Sequence, residues 1–131
     1  MKIRGVDFVM FPVSDLARAA RFYRETLGLP QEVYSEEWQW AEFDCGNLTL
    51  SLKGASAPGE TGTAGRLALA VGDIQTACQE IERSGAHIVS GPTNNEVCWS
   101  LEILDPDGNR LILHQRADRT VGREPARNSA P

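Results

Sequence analysis

The 131 residues of this chain predict one α+β domain built from two tandem βαβββ modules. Three observations carry that prediction. Val13-Ser14-Asp15-Leu16 and Val71-Gly72-Asp73-Ile74 begin alike, and each closes an alternating apolar run and opens a helical pattern. Each helical pattern stops at a glycine, Gly28 or Gly85, and three short strand patterns follow each. Residues 54–65, between the copies, are rich in Gly, Ala, Ser, Thr and Pro without periodicity, which marks a linker. With 41% apolar residues, a chain of this length supplies one core rather than two, so the halves share one structure.

Residues 6–13 are apolar with β-branched and aromatic members, and Pro12 near their end suits an edge or terminal strand position. Ser14 is placed to cap a helix whose Leu16, Ala19, Ala20, Tyr23 and Leu27 recur at steps of three and four. Residues 32–35, 38–44 and 48–53 then read as a three-strand meander, the last two strands joined by Cys45-Gly46-Asn47. In the second module residues 66–71 form a strand and Asp73 caps a helix running to Ser84. Strands follow at 87–90, 96–104 and 109–115, with Asp105-Pro106-Asp107-Gly108 as a tight turn between the last two. The domain therefore spans 1–116: module one 5–53, linker 54–65, module two 66–116. The tail, 117–131, has almost no large apolar residue beyond Val121 and is expected to be mobile.

Composition limits the function. A net charge of −5 with scattered Lys and Arg offers no basic stripe to follow a phosphate backbone, so no nucleic-acid partner is expected. No run approaches the roughly 20 apolar residues that span a bilayer, and the first residues lack the apolar core of a signal peptide. A cytoplasmic protein without membrane contact is the expectation. Cys45, Cys78 and Cys98 are odd in number and widely spaced, which suits reduced thiols rather than a disulfide framework or a zinc knuckle.

Strand alternation sorts the side chains. One face collects Val9, Phe11, Val13, Leu48, Leu50, Leu52, Leu67, Leu69, Val71, Leu101, Ile103, Leu111 and Leu113, and should receive the helices. The other holds Phe8, Met10, Trp38, Trp40, Glu42, Thr49, Ser51, Lys53, Arg66, Ala68, Cys98, Ser100, Glu102, Arg110, Ile112 and His114. Large aromatics bury on the order of 150–250 Å² when covered, so Phe8, Trp38 and Trp40 call for a ligand or a partner subunit over them.

Val13-Ser14-Asp15-Leu16, Arg21-Phe22-Tyr23, Leu27-Gly28-Leu29 and Asp105-Pro106-Asp107-Gly108-Asn109, set in the repeated modules, resemble the vicinal oxygen chelate superfamily. That group includes glyoxalase I, bleomycin resistance proteins, fosfomycin resistance enzymes and extradiol dioxygenases. The resemblance covers roughly residues 5–116 and implies a cupped mixed-sheet cleft with helices on the convex face, commonly completed in a homodimer. It also implies where a metal would sit: the family's His, Glu or Gln ligands align with Phe8, Ser51, Arg66 and Ile112. Phe and Ile offer no lone pair and Arg brings a repelling charge, so neither a metal nor another cofactor is expected. His87 and His114 lack ligand spacing; a relocated centre would need His114 with Glu102 and Glu42.

Three functions follow. In the first, the protein sequesters a planar or cationic small molecule without chemistry, contacting Phe8, Trp38, Trp40, Glu42, Ser51, Arg66, Cys98, Ser100, Glu102, Ile112 and His114. In the second, a metal-independent lyase or isomerase uses His114 or Glu102 as general base and Arg66 as electrostatic stabiliser, although Arg66 and Glu102 can instead pair with each other. In the third, the chain is a dimeric scaffold without ligand.

Overall fold

The computed structural model describes residues 2, 6–63 and 65–123. Its elements run β1 (Phe8–Pro12), α1 (Leu16–Arg21) continuing into a π-helical turn (Phe22–Thr26), β2 (Gln31–Ser35), β3 (Trp40–Asp44), β4 (Thr49–Lys53), β5 (Arg66–Ala70), α2 (Ile74–Ser84), β6 (Ile88–Asn94), β7 (Cys98–Leu104) and β8 (Arg110–Arg116). This is α+β with two tandem βαβββ modules. The strands form two four-stranded mixed sheets, ordered β1-β4-β3-β2 and β5-β8-β7-β6, each with one parallel pair and two antiparallel pairs.

The chain divides into two compact units, Met1–Gly65 with Asp105–Asn109, and Arg66–Leu104 with Arg110–Pro131. In the first, α1 packs on β3 and β4, and Phe11, Val13, Leu16, Ala19, Ala20, Tyr23, Ala41, Phe43, Leu50 and Leu52 are buried. In the second, α2 packs on β6, β7 and β8, over Ile74, Ile81, Leu101, Ile103, Leu111 and Leu113. The alternation expected from the sequence sets this core, except that Val9 on edge strand β1, Leu48 just before β4, and Leu67, Leu69 and Val71 on or beside edge strand β5 are only half-buried.

Local differences have local causes. Asp15, not Ser14, caps α1, its carboxylate accepting from the Arg18 amide; the Ser14 amide and hydroxyl both donate to Asp107. Glu36–Gln39 form a turn, with Gln39 at φ 49°, so β3 begins at Trp40 and Trp38 lies outside it. β6 extends to Asn94 through register shifts between Ile88 and Thr93. Residues 117–123 carry more order than their composition suggests: the Ala117 amide donates to Val97, Arg119 donates to the Gly72 carbonyl, and Thr120 is buried. The rest of the tail, 124–131, lies outside the described residues.

The turn Asp105–Asn109 is built into the first unit. Asp105, buried, accepts from the amides of Asp107 and Asn109, from Asn109 Nδ2 and from the Tyr23 hydroxyl at 2.9 Å. Asn109 Nδ2 also donates to the Pro12 carbonyl, and Asn109 Oδ1 accepts from the Gly62 amide. Burial raises the Asp105 carboxyl against the pull of these donors. Burial, then the Asp105 carboxylate, raises the Tyr23 phenol well above its ordinary range.

Candidate functional site

In the first sheet, register places Met10, Ser51, Glu42 and Val33 in one row across the four strands, with Phe8 and Thr49 in the row on one side and Pro12, Lys53 and Trp40 on the other. Phe8 and Trp40 meet edge to face, ring centroids 6.0 Å apart at 87°, from rows that flank Ser51. Trp40 Nε1 donates to Glu42 Oε1 at 3.2 Å, which fixes the indole over its own strand. Ser51 is 0% exposed, and among the described residues its hydroxyl has no hydrogen-bond partner. A buried hydroxyl without a partner is costly, of order 1–3 kcal/mol.

Phe8, Trp40, Glu42 and Ser51 thus come together as alternation predicted, and Met10 joins them. Phe8 is 50% exposed and Met10 exposed, an apolar surface beside a fixed indole. Trp38 does not share this geometry: it lies in the turn before β3, 71% exposed, because β3 begins at Trp40 rather than at Trp38.

In the second sheet, Arg66 and Arg110 are direct partners on parallel strands β5 and β8, and Glu102 and Ile112 are partners on β7 and β8. Glu102 Oε1 lies 2.9 Å from Arg66 Nε and 3.1 Å from Arg110 Nη1, so the ion pair foreseen for Arg66 is present with a second arginine added. His114 is paired with Ser100 and Ala70 in the next row. Cys98 sits one row further, half-buried, its Sγ 3.2 Å from Asn95 Oδ1. Arg110 was on the expected face but outside the expected site; its placement opposite Arg66 comes from strand pairing, which no local sequence signal specifies.

The positions that the resemblance assigns to metal ligands carry Phe8, Ser51, Arg66 and Ile112, and among the described residues no group of three His, Cys, Asp or Glu side chains is arranged to hold an ion. The first unit brings only the Ser51 hydroxyl and the second only the Arg66 guanidinium, and neither supplies a divalent-metal donor set. Glu102, one of the two carboxylates a relocated centre would need, already has one oxygen between two arginines. The residues present do not fit the metal.

Residues 5–113 match the family model described as Glyoxalase/Bleomycin resistance protein/Dioxygenase superfamily. Among curated proteins, a virulence protein of Salmonella typhimurium is 28% identical over 125 residues, covering 88% of this chain and 86% of that protein. A lactoylglutathione lyase of Escherichia coli O157:H7 is 28% identical over 126 residues, covering 86% and 93%. Among solved structures, TnmS3, an antibiotic binding protein from Streptomyces sp. CB03234, superposes with a TM-score of 0.77 at 27% identity, covering 89% of this chain and 99% of that one.

Proposed function

The chain belongs to the Glyoxalase/Bleomycin resistance protein/Dioxygenase superfamily, and from that membership we propose that it is a metal-free small-molecule binding protein. Its ligand is a planar compound, cationic by preference, taken up on the aromatic face of the first sheet. The observation that carries this reading is the exposed apolar surface of Phe8 and Met10 beside the Trp40 indole, which meets Phe8 edge to face. An exposed aromatic and apolar wall is what a flat ligand covers. Glu42 beside the indole supplies the negative charge that a cationic ring prefers. The antibiotic binding protein from Streptomyces, with the same fold at 27% identity, supports sequestration as the mode of action.

The catalytic alternative asks Glu102 or His114 to act as base and Arg66 to stabilise negative charge. Glu102 and Arg66 are engaged with each other, so that reading would rest on His114 as its base. A homodimer in the cytoplasm, without nucleic-acid or membrane partners, is part of the proposal. The absence of a basic stripe supports it, and no described helix is long and apolar enough to cross a membrane.

The test is a native mass spectrum of gently purified protein, prepared without added metal or chelator. The expected spectrum is a metal-free dimer that takes up one planar cation such as proflavine per chain. One divalent ion per chain, or no uptake of any planar compound, would overturn the proposal.

A further inference from the structure

We propose that the face of β5, β8 and β7 in the second unit is an oxyanion site, in which Arg66 and Arg110 together grip a carboxylate or a phosphate. The two arginines are direct partners on neighbouring strands, an arrangement that like charges oppose unless an anion sits between them. Glu102 meets that need only in part. A single oxygen, Oε1, serves both guanidinium groups, so among the described residues two cations share one anion and one positive charge has no counter-ion. Arg66 is engaged through Nε and Arg110 through Nη1; among the described residues the Nη nitrogens of Arg66 and Nη2 of Arg110 have no partner. These are the fork donors that bind planar oxyanions in bidentate fashion.

The surroundings favour a second anion. The Glu102 side chain is only 18% exposed, so it anchors the arginines from within while their outer ends, 57% and 43% exposed, remain accessible. Ala68 and Ile112 share the neighbouring row with Glu102, so the floor beside the pair is apolar apart from the carboxylate that anchors it. Arg116 shares the β8 face but donates to Thr120 and Gly122 and lies near Asp118, so its charge is spent locally. In a chain of net charge −5, this cluster is a local exception in sign.

The experiment titrates full-length protein, labelled for observation of arginine side-chain Nε–Hε signals, with benzoate, benzamide and inorganic phosphate. Benzoate is expected to shift the Arg66 and Arg110 signals saturably while the isosteric, neutral benzamide leaves them in place. Arg66→Gln and Arg110→Gln should each weaken benzoate about tenfold, the loss of a charge-assisted contact. Arg66→Lys, which keeps the charge and removes the fork, should fall between, with circular dichroism confirming that each variant folds. Phosphate shifting both signals as well identifies a general oxyanion site, and benzoate alone a carboxylate site; either supports the proposal. Benzamide acting as strongly as benzoate, or neither anion saturating below about 10 mM, would overturn it.

Discussion

Tyr23→Phe removes one oxygen from the first unit's interior, and the structure sets what that costs. The hydroxyl belongs to a fully buried ring and donates at 2.9 Å to Asp105, itself buried, so no solvent molecule can take over without repacking. A hydrogen bond to a charged acceptor is worth about 1.5–3 kcal/mol. Asn109 Nδ2 still serves the same oxygen at 2.8 Å, which places the loss near the middle of that range, about 2 kcal/mol. For a chain of this size that lowers Tm by about 8 °C. Urea unfolding should show a lower midpoint with an unchanged slope, because the surface exposed on unfolding is the same. pH supplies a second reading. Folding raises the Tyr23 phenol, so the native state keeps a proton that the unfolded chain releases near pH 10. The stability this provides is complete below that pH and is lost as pH climbs toward the raised native value. Tyr23→Phe should flatten this alkaline decline. A loss below about 0.5 kcal/mol, or an alkaline decline that persists in the variant, would refute the reasoning.

Other positions give equally direct expectations. Ser51→Ala should raise stability by about 1 kcal/mol by deleting a buried unpartnered hydroxyl; a destabilised variant would mean that the hydroxyl has a partner in solution. Gly91→Ala places a Cβ 2.6 Å from the Ser100 carbonyl oxygen at φ +98° and should cost about 3 kcal/mol in urea unfolding, whereas Gly28→Ala, at φ +70° with open space around it, should cost about 1 kcal/mol. The Thr76 hydroxyl and amide hold the Asp73 carboxyl below its usual range. Its contribution is therefore present above about pH 4 and lost as pH falls through the lowered value, so Asp73→Asn should keep the cap yet soften acid unfolding.

What could be read before folding was what alternation and caps encode. Phe11, Leu50, Leu52, Leu101, Ile103, Leu111 and Leu113 all fall on the buried face, because a period of two leaves no other arrangement once one face is apolar. The α2 cap at Asp73 and its stop at Gly85, φ 76°, are likewise local chemistry. Trp38 was misplaced because nothing in Glu36-Glu37-Trp38-Gln39 announces a turn: its geometry rests on Gln39 at positive φ and on the Ser35 hydroxyl accepting from the Trp38 amide. Ser14 looked like a cap, but Asp107, far along the chain, takes its hydroxyl and leaves the cap to Asp15. The aromatic members of the site were legible as a face; the Phe8–Trp40 contact and the second arginine opposite Arg66 depend on pairing register between distant strands.

The account turns on whether the aromatic face of the first sheet takes up a flat molecule. A protein carrying Trp38→Phe and Trp99→Phe reports from Trp40 alone, and titrating it with proflavine at fixed protein concentration reads that face directly. Saturable quenching at one equivalent per chain, lost in Phe8→Ala, is the predicted result. Trp40 emission that ignores proflavine and other planar compounds, yet changes on dilution of the protein, would contradict the account and assign this face to subunit contact.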